Sequence, residues 1–181
     1  MRRTLCLLAA VLLAGCGGAA PEAIAPAVPA GPQHAELDWR ESYPPTGERL
    51  VFTVETLDVT DTGWSARVAV RNETRIPFET GRRREDLSYG LMLFASGDLE
   101  ELEAASTAGT LPPARTAETL EPPPPTILEP GATWRTTISA PGALAQGSWA
   151  RVAFGPLRAI GDPPEGMQPV VLWITDHAHR L

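Results

Sequence analysis

The sequence predicts an all-β chain folded as an antiparallel β-sandwich, and three observations lead there. Short runs rich in Val, Thr, Phe and Trp recur from about Glu36 to the C-terminus. Turns built on Gly, Pro and Asp separate them. A single brief stretch, 99–105 (LEELEAA), has the composition of a helix. Short strands spaced by turn signals, with little helix between, are the pattern of two packed antiparallel sheets.

The first strand pair is the clearest. Residues 50–60 (LVFTVETLDVT) are β-branched and aromatic, 61–63 (DTG) form a turn, and 64–71 then alternate. Trp64, Ala66, Val68 and Val70 share one face and Ser65, Arg67 and Arg71 the other, which is a hairpin signature. In the first run Phe52 and Val54 have one parity and Leu57 and Val59 the other. A bulge near Glu55-Thr56 reconciles them, because one extra residue restores the buried face.

Residues 89–95 (YGLMLFA) follow as a short buried strand. The connection from Ser96 to about Pro125 holds the short helix together with Pro112, Pro113 and Pro122–Pro125. A loop of that length in a compact domain is usually functional or mobile. A Leu-Glu-Pro-Gly turn at 128–131 then enters a strand at 133–139 (TWRTTIS). Strands at 148–154 (SWARVAF) and 170–175 (VVLWIT) complete the set. Trp64, Trp134 and Trp173 fall within strands and are core candidates.

The N-terminus carries an address. Arg2 and Arg3 precede an apolar run at 5–13 (LCLLAAVLL), too short for the roughly 20 residues of a membrane span and therefore an export signal. Leu13-Ala14-Gly15-Cys16 resembles the bacterial lipobox. That resemblance implies cleavage before Cys16, a diacylglycerol thioether on its sulfur and acylation of the freed amine. Multiple chains hold firmly where one holds marginally, since each buried methylene contributes about 0.8 kcal/mol. Residues 1–15 are thus read as a lipoprotein signal peptide, 16–35 as lipidated Cys16 plus a Pro/Ala-rich tether, and 36–181 as the folded domain. The tether has too little apolar bulk to fold alone and favours an extended conformation of ~3.1 Å per residue. Gly17 is not the aspartate that sorting rules associate with inner-membrane retention. The expected location is the cell envelope, at the outer membrane where one exists and otherwise on the outer face of the plasma membrane.

Composition narrows the function classes. The two cysteines are Cys6, lost with the signal, and Cys16, blocked by lipid. Thiol catalysis, cysteine–metal sites and disulfides are then absent from the mature chain. The formal charge is −7 and the pI near 5.0, which argues against nucleic acid as a partner. All fifteen basic residues are arginine. The chain has no Gly-x-Ser-x-Gly elbow, phosphate-cradling glycine loop or His-Glu-x-x-His helix, so no catalytic residue is assigned and no cofactor is required.

A resemblance adds to this reading. Ile127 to Trp134, the Pro-Gly break at 141–142 and Ala150 to Gly155 resemble the immunoglobulin-like (telokin-like) domains of many bacterial lipoproteins. Val68-Ala69-Val70-Arg71-Asn72 resembles the same family's Val-x-Val-x-Asn strand end. The resemblance spans roughly 36–181 and implies an immunoglobulin-like sandwich with no catalytic residues.

Four groups of side chains are candidates for binding. Asp176-His177-Ala178-His179 closes the chain; a continuing strand would project both imidazoles to one face about 7 Å apart, a spacing that can hold a metal. A third ligand would have to come from His34, Asp176 or a distant carboxylate. The competing reading is a polar strand end. Arg82, Arg83 and Arg84, near Arg71 and Arg75, could meet an anionic lipid headgroup, a glycan phosphate or an acidic partner, or form a solvated loop beside Glu85 and Asp86. Asp98, Glu100, Glu101 and Glu103 read as a solubilising helix face, because calcium-loop spacing is missing. Trp149 shares parity with Arg151, opposite Val152 and Phe154. It could stack on a sugar or cover a neighbouring loop; the competing reading is core or edge packing. The expected function is a membrane-anchored, non-catalytic envelope module binding a protein or cell-wall component. The alternative is a periplasmic or surface metal-binding protein using His177 and His179.

Overall fold

A computed structural model describes residues 27–81 and 88–181. The signal segment, Cys16, most of the tether and Arg82–Arg84 with Glu85 and Asp86 lie outside the described residues. No helix among the described residues is long and apolar enough to cross a membrane.

The chain forms two antiparallel sheets. The first has the order β1 (Gln33–Tyr43), β2 (Arg49–Thr60), β3 (Gly63–Glu73), β9 (Thr133–Pro141), β7 (Thr119–Glu121). The second runs β6 (Arg115–Thr116), β5 (Gly90–Phe94), β10 (Trp149–Ala159), β4 (Phe78–Glu79), β8 (Ile127–Leu128). Strands β11 (Val170–Ile174) and β12 (His179–Arg180) add to the other side of β10, where Ala153 pairs with both Gly90 and Ile174. The fold is an all-β sandwich, and α1 (Leu99–Ala108) is the one helix among the described residues.

The hairpin is β2–β3, closed at the Thr60–Gly63 pair. Its register shifts between Val54 and Thr56, where the sequence calls for a bulge, so Phe52, Val54, Leu57 and Val59 are all buried despite their parities. Glu55, left without a strand partner, faces Arg67 and Arg135. The core lies between the sheets: Leu50, Phe52, Val68 and Ile138 from one side meet Leu91, Val152, Phe154 and Leu157 from the other. The Phe52 and Phe154 rings stand 5.1 Å apart across the interface, and Tyr89 meets Trp134 edge-on at 5.2 Å.

Three expectations need correction. The fold takes hold ahead of residue 36: Ala30 is buried, its N–H donating to the Leu144 carbonyl at 2.7 Å, and β1 begins at Gln33. That strand escapes a hydrophobic reading because QHAELDWRESY is an edge strand, half-covered on one face and interrupted by a bulge between Glu36 and Trp39. Strand β10 continues past Phe154 through Gly155-Pro156 to Ala159. Proline cannot donate to a ladder, but here it sits in a bulge where the β10–β11 register shifts between Phe154 and Leu157. Gly155 has φ +122°, and a Cβ there would lie 2.8 Å from the Val171 carbonyl, so glycine alone lets β11 come this close. Finally, the 96–125 connection holds two short strands, β6 and β7, beside the expected helix α1.

Candidate functional site

The second sheet's outer face is organised by one buried cation. Along β10, Ala150, Val152 and Phe154 point inward, so Trp149, Arg151 and Ala153 point out. Arg151 is nevertheless fully buried. Its Nη1 donates to the carbonyls of Thr175 (2.9 Å) and Asp176, and Nη2 to those of Gly97 (2.8 Å) and Asp98 (3.1 Å). The guanidinium also lies over the Phe94 ring, 5.5 Å from its centroid. Burial lowers the Arg151 pKa, and the fields of Asp176, Glu41 and Asp98 work to restore it. The planar fork thereby ties the loop entering α1 to the segment leaving β11, a bidentate geometry that lysine lacks.

Helix α1 depends on that clamp. Asp98 caps it through a bond from the Glu100 N–H, Glu100 and Glu101 sit favourably in its first turn, and Gly109 ends it in the left-handed conformation at φ 67°. Leu102 is its one buried residue. The acidic residues Glu100, Glu101 and Glu103 are exposed, as the helix-face reading expects.

A second buried charge sits opposite. Glu41 of β1 accepts from Trp173 Nε1 (2.8 Å), from the backbone N–H of Asp176 (2.9 Å) and His177 (3.0 Å), and pairs with His177 Nδ1 at 2.8 Å. His177 also stacks on Trp39 at 5.6 Å. Glu41 and Arg151 together fix the bend after β11, one through its N–H groups and the other through its carbonyls. Asp176 lies in this field; burial and then the charge of Glu41 push its pKa up, against the pull of Arg151 and His177.

This bend decides the fate of the histidine pair. The strand stops at Ile174 and resumes at His179, so the two imidazoles do not extend from one continuous strand. His177 is held by Glu41, whereas His179 Nε2 meets Gln33 Oε1 at 2.9 Å, at the far end of β1. Burial lowers the His179 pKa. His34, adjacent to Gln33, faces the opposite side of β1 and binds Asp58 (2.6 Å) and Glu36 (3.0 Å), so it does not join His179. Among the described residues no group of three His, Cys, Asp or Glu side chains is placed to hold a metal ion.

Trp149 is half-buried, and a Cβ on Gly97 would come within 2.5 Å of its indole. The ring thus packs against the loop at Gly97. Arg151 and Glu41 were not singled out from the sequence. A signal for Arg151 exists: Ala150, Val152 and Ala153 surround it, and a near-continuous apolar run marks a strand covered on both faces.

Beside this cluster a groove of about 420 Å³ opens between α1 and the end of β11, with Leu99, Leu102 and Glu103 on one wall and Leu172, Ile174 and Asp176 on the other. Leu172 is 62% exposed. The chain matches no protein-family model, no curated protein and no solved structure.

Proposed function

We propose that the protein is a lipid-anchored, non-catalytic module of the bacterial cell envelope that binds a protein or cell-wall component. The observation that carries the binding role is a contrast on one face of the sandwich. The charged side chains Arg151 and Glu41 are engaged with backbone groups of the chain itself, while the adjoining groove presents Leu99, Leu172 and Ile174. Exposed apolar surface rimmed by polar groups marks interaction sites. The anchor rests on Leu13-Ala14-Gly15-Cys16, and the residues after it read as a spacer before the fold begins near Ala30. The two-sheet architecture supports kinship with immunoglobulin-like lipoprotein domains.

In-cell crosslinking followed by purification from detergent-solubilised membranes tests this reading. A single dominant envelope protein or glycan adduct is expected. Recovery of the chain free of any adduct, together with turnover of a small substrate by the purified protein, would replace the binding module with an enzyme.

A further inference from the structure

The groove points to the chemistry of its occupant. Strand β11 has one neighbour among the described residues, β10, so its outer edge has backbone N–H and C=O groups with no strand beside them. Such edges pair readily with another chain, and proteins ordinarily blunt them with charge or proline. The β11 sequence VVLWI has neither. Val171 and Trp173 turn towards the core, which sends Val170, Leu172 and Ile174 outward, with Val170 40% and Leu172 62% exposed. An extended segment paired to this edge would direct every second side chain to the same outer face, alongside Leu172 and towards Leu99 on α1.

Charge specifies the rest. The groove is lined by two carboxylates, Glu103 and Asp176, and by no arginine. Arg151 lies near Asp176, but its guanidinium is buried and bonded to four carbonyls.

We propose that the free edge of β11 takes up an extended segment of a partner protein as an added strand, with its apolar side chains beside Leu172 and Leu99 and an arginine or lysine against Glu103 and Asp176. This rests on the binding-module reading and gives its partner a chemistry. Strand addition supplies affinity through main-chain bonds and specificity through alternate side chains. The net charge of −7 works against a second copy of this chain as the occupant.

The test uses the processed full-length chain in neutral detergent micelles and three fluorescein-labelled ten-residue peptides, alternating Arg-Val, Glu-Val or Arg-Ser. Fluorescence anisotropy should show the Arg-Val peptide binding at least about tenfold more tightly than either control, because it alone offers both apolar and cationic groups. Hydrogen exchange of the 170–174 amides should slow in that complex, which a side-chain contact alone would not produce. Glu103→Lys, at an exposed position, should weaken binding about tenfold, and Leu172→Glu should abolish the slowed exchange. Equal binding of the Glu-Val peptide, no binding by any peptide, or a dimer held through β11 in sedimentation would each overturn the proposal. A crosslinked envelope partner contacting a different surface would overturn it too, while leaving the module reading intact.

Discussion

Replacing Arg151 with methionine tests how the outer face is held. Methionine has a similar reach and no charge, so the perturbation removes the fork and keeps much of the packing. Four carbonyls, on Gly97, Asp98, Thr175 and Asp176, lose the Arg151 donor, and that of Asp98 keeps the Leu102 N–H at 3.4 Å. Hydrogen bonds to a charged group contribute about 1.5–3 kcal/mol each. Against them stands the several kcal/mol needed to bury a guanidinium, and apolar replacement of a buried ion network can be neutral. The carbonyls decide the sign, because they belong to loops that methionine cannot satisfy. Each buried acceptor left unsatisfied costs about 1–3 kcal/mol, which set against the relieved desolvation of the cation leaves a net loss of about 3–5 kcal/mol. At about 2–4 °C per kcal/mol for a chain of this size, the melting temperature should fall by roughly 6–20 °C. Urea denaturation gives the free energy, and hydrogen exchange should show α1 opening first, since Leu102 is its one buried side chain. Arg151→Lys should recover only part of the loss. A methionine variant within about 1 kcal/mol of the parent, with α1 exchange unchanged, would refute the clamp.

Gly97→Ala drives a methyl group to 2.5 Å from the Trp149 ring, so it should cost about 1–3 kcal/mol in denaturant unfolding and shift the tryptophan emission. Two histidines should give opposite pH slopes. Bonds to Asp58 and Glu36 raise the His34 pKa above 6.5, so its stabilisation is complete below that value and fades as pH rises through the folded pKa. Burial lowers the His179 pKa, so its contribution is complete above 6.5 and is lost as pH falls through the folded pKa. Melting temperature followed against pH should lose its alkaline decline near neutrality in His34→Gln and part of its acid decline in His179→Gln.

The β2–β3 hairpin and its bulge were legible because both depend on side-chain parity, which the sequence displays directly: Val54 and Leu57 cannot both be buried without an inserted residue. The continuation of β10 was hidden because Gly155-Pro156 reads locally as a break, and only the neighbouring β11 turns it into a bulge. Strand β1 was hidden for a different reason. Its residues serve the fold through polar contacts, Glu41 to the bend at 176–177 and Gln33 to His179, and such contacts leave no hydrophobic period. Asp176, His177 and His179 were singled out as candidate ligands projecting from a continuing strand, but the sequence has no means of showing a strand break imposed by Glu41 and Arg151 from far along the chain. Trp149 was placed by parity on the outer face, and the covering loop at Gly97 is a tertiary event. The groove itself arises from the meeting of α1 and β11, which no linear pattern announces.

The most direct test of the account is the intact mass of the protein extracted from membranes, measured beside Cys16→Ser. A chain beginning at Cys16 and carrying a diacylglyceryl and an acyl group is expected, with the serine variant unmodified and released from the detergent phase. An unlipidated chain, or a serine variant still processed after Gly15 and retained in the membrane, would contradict it.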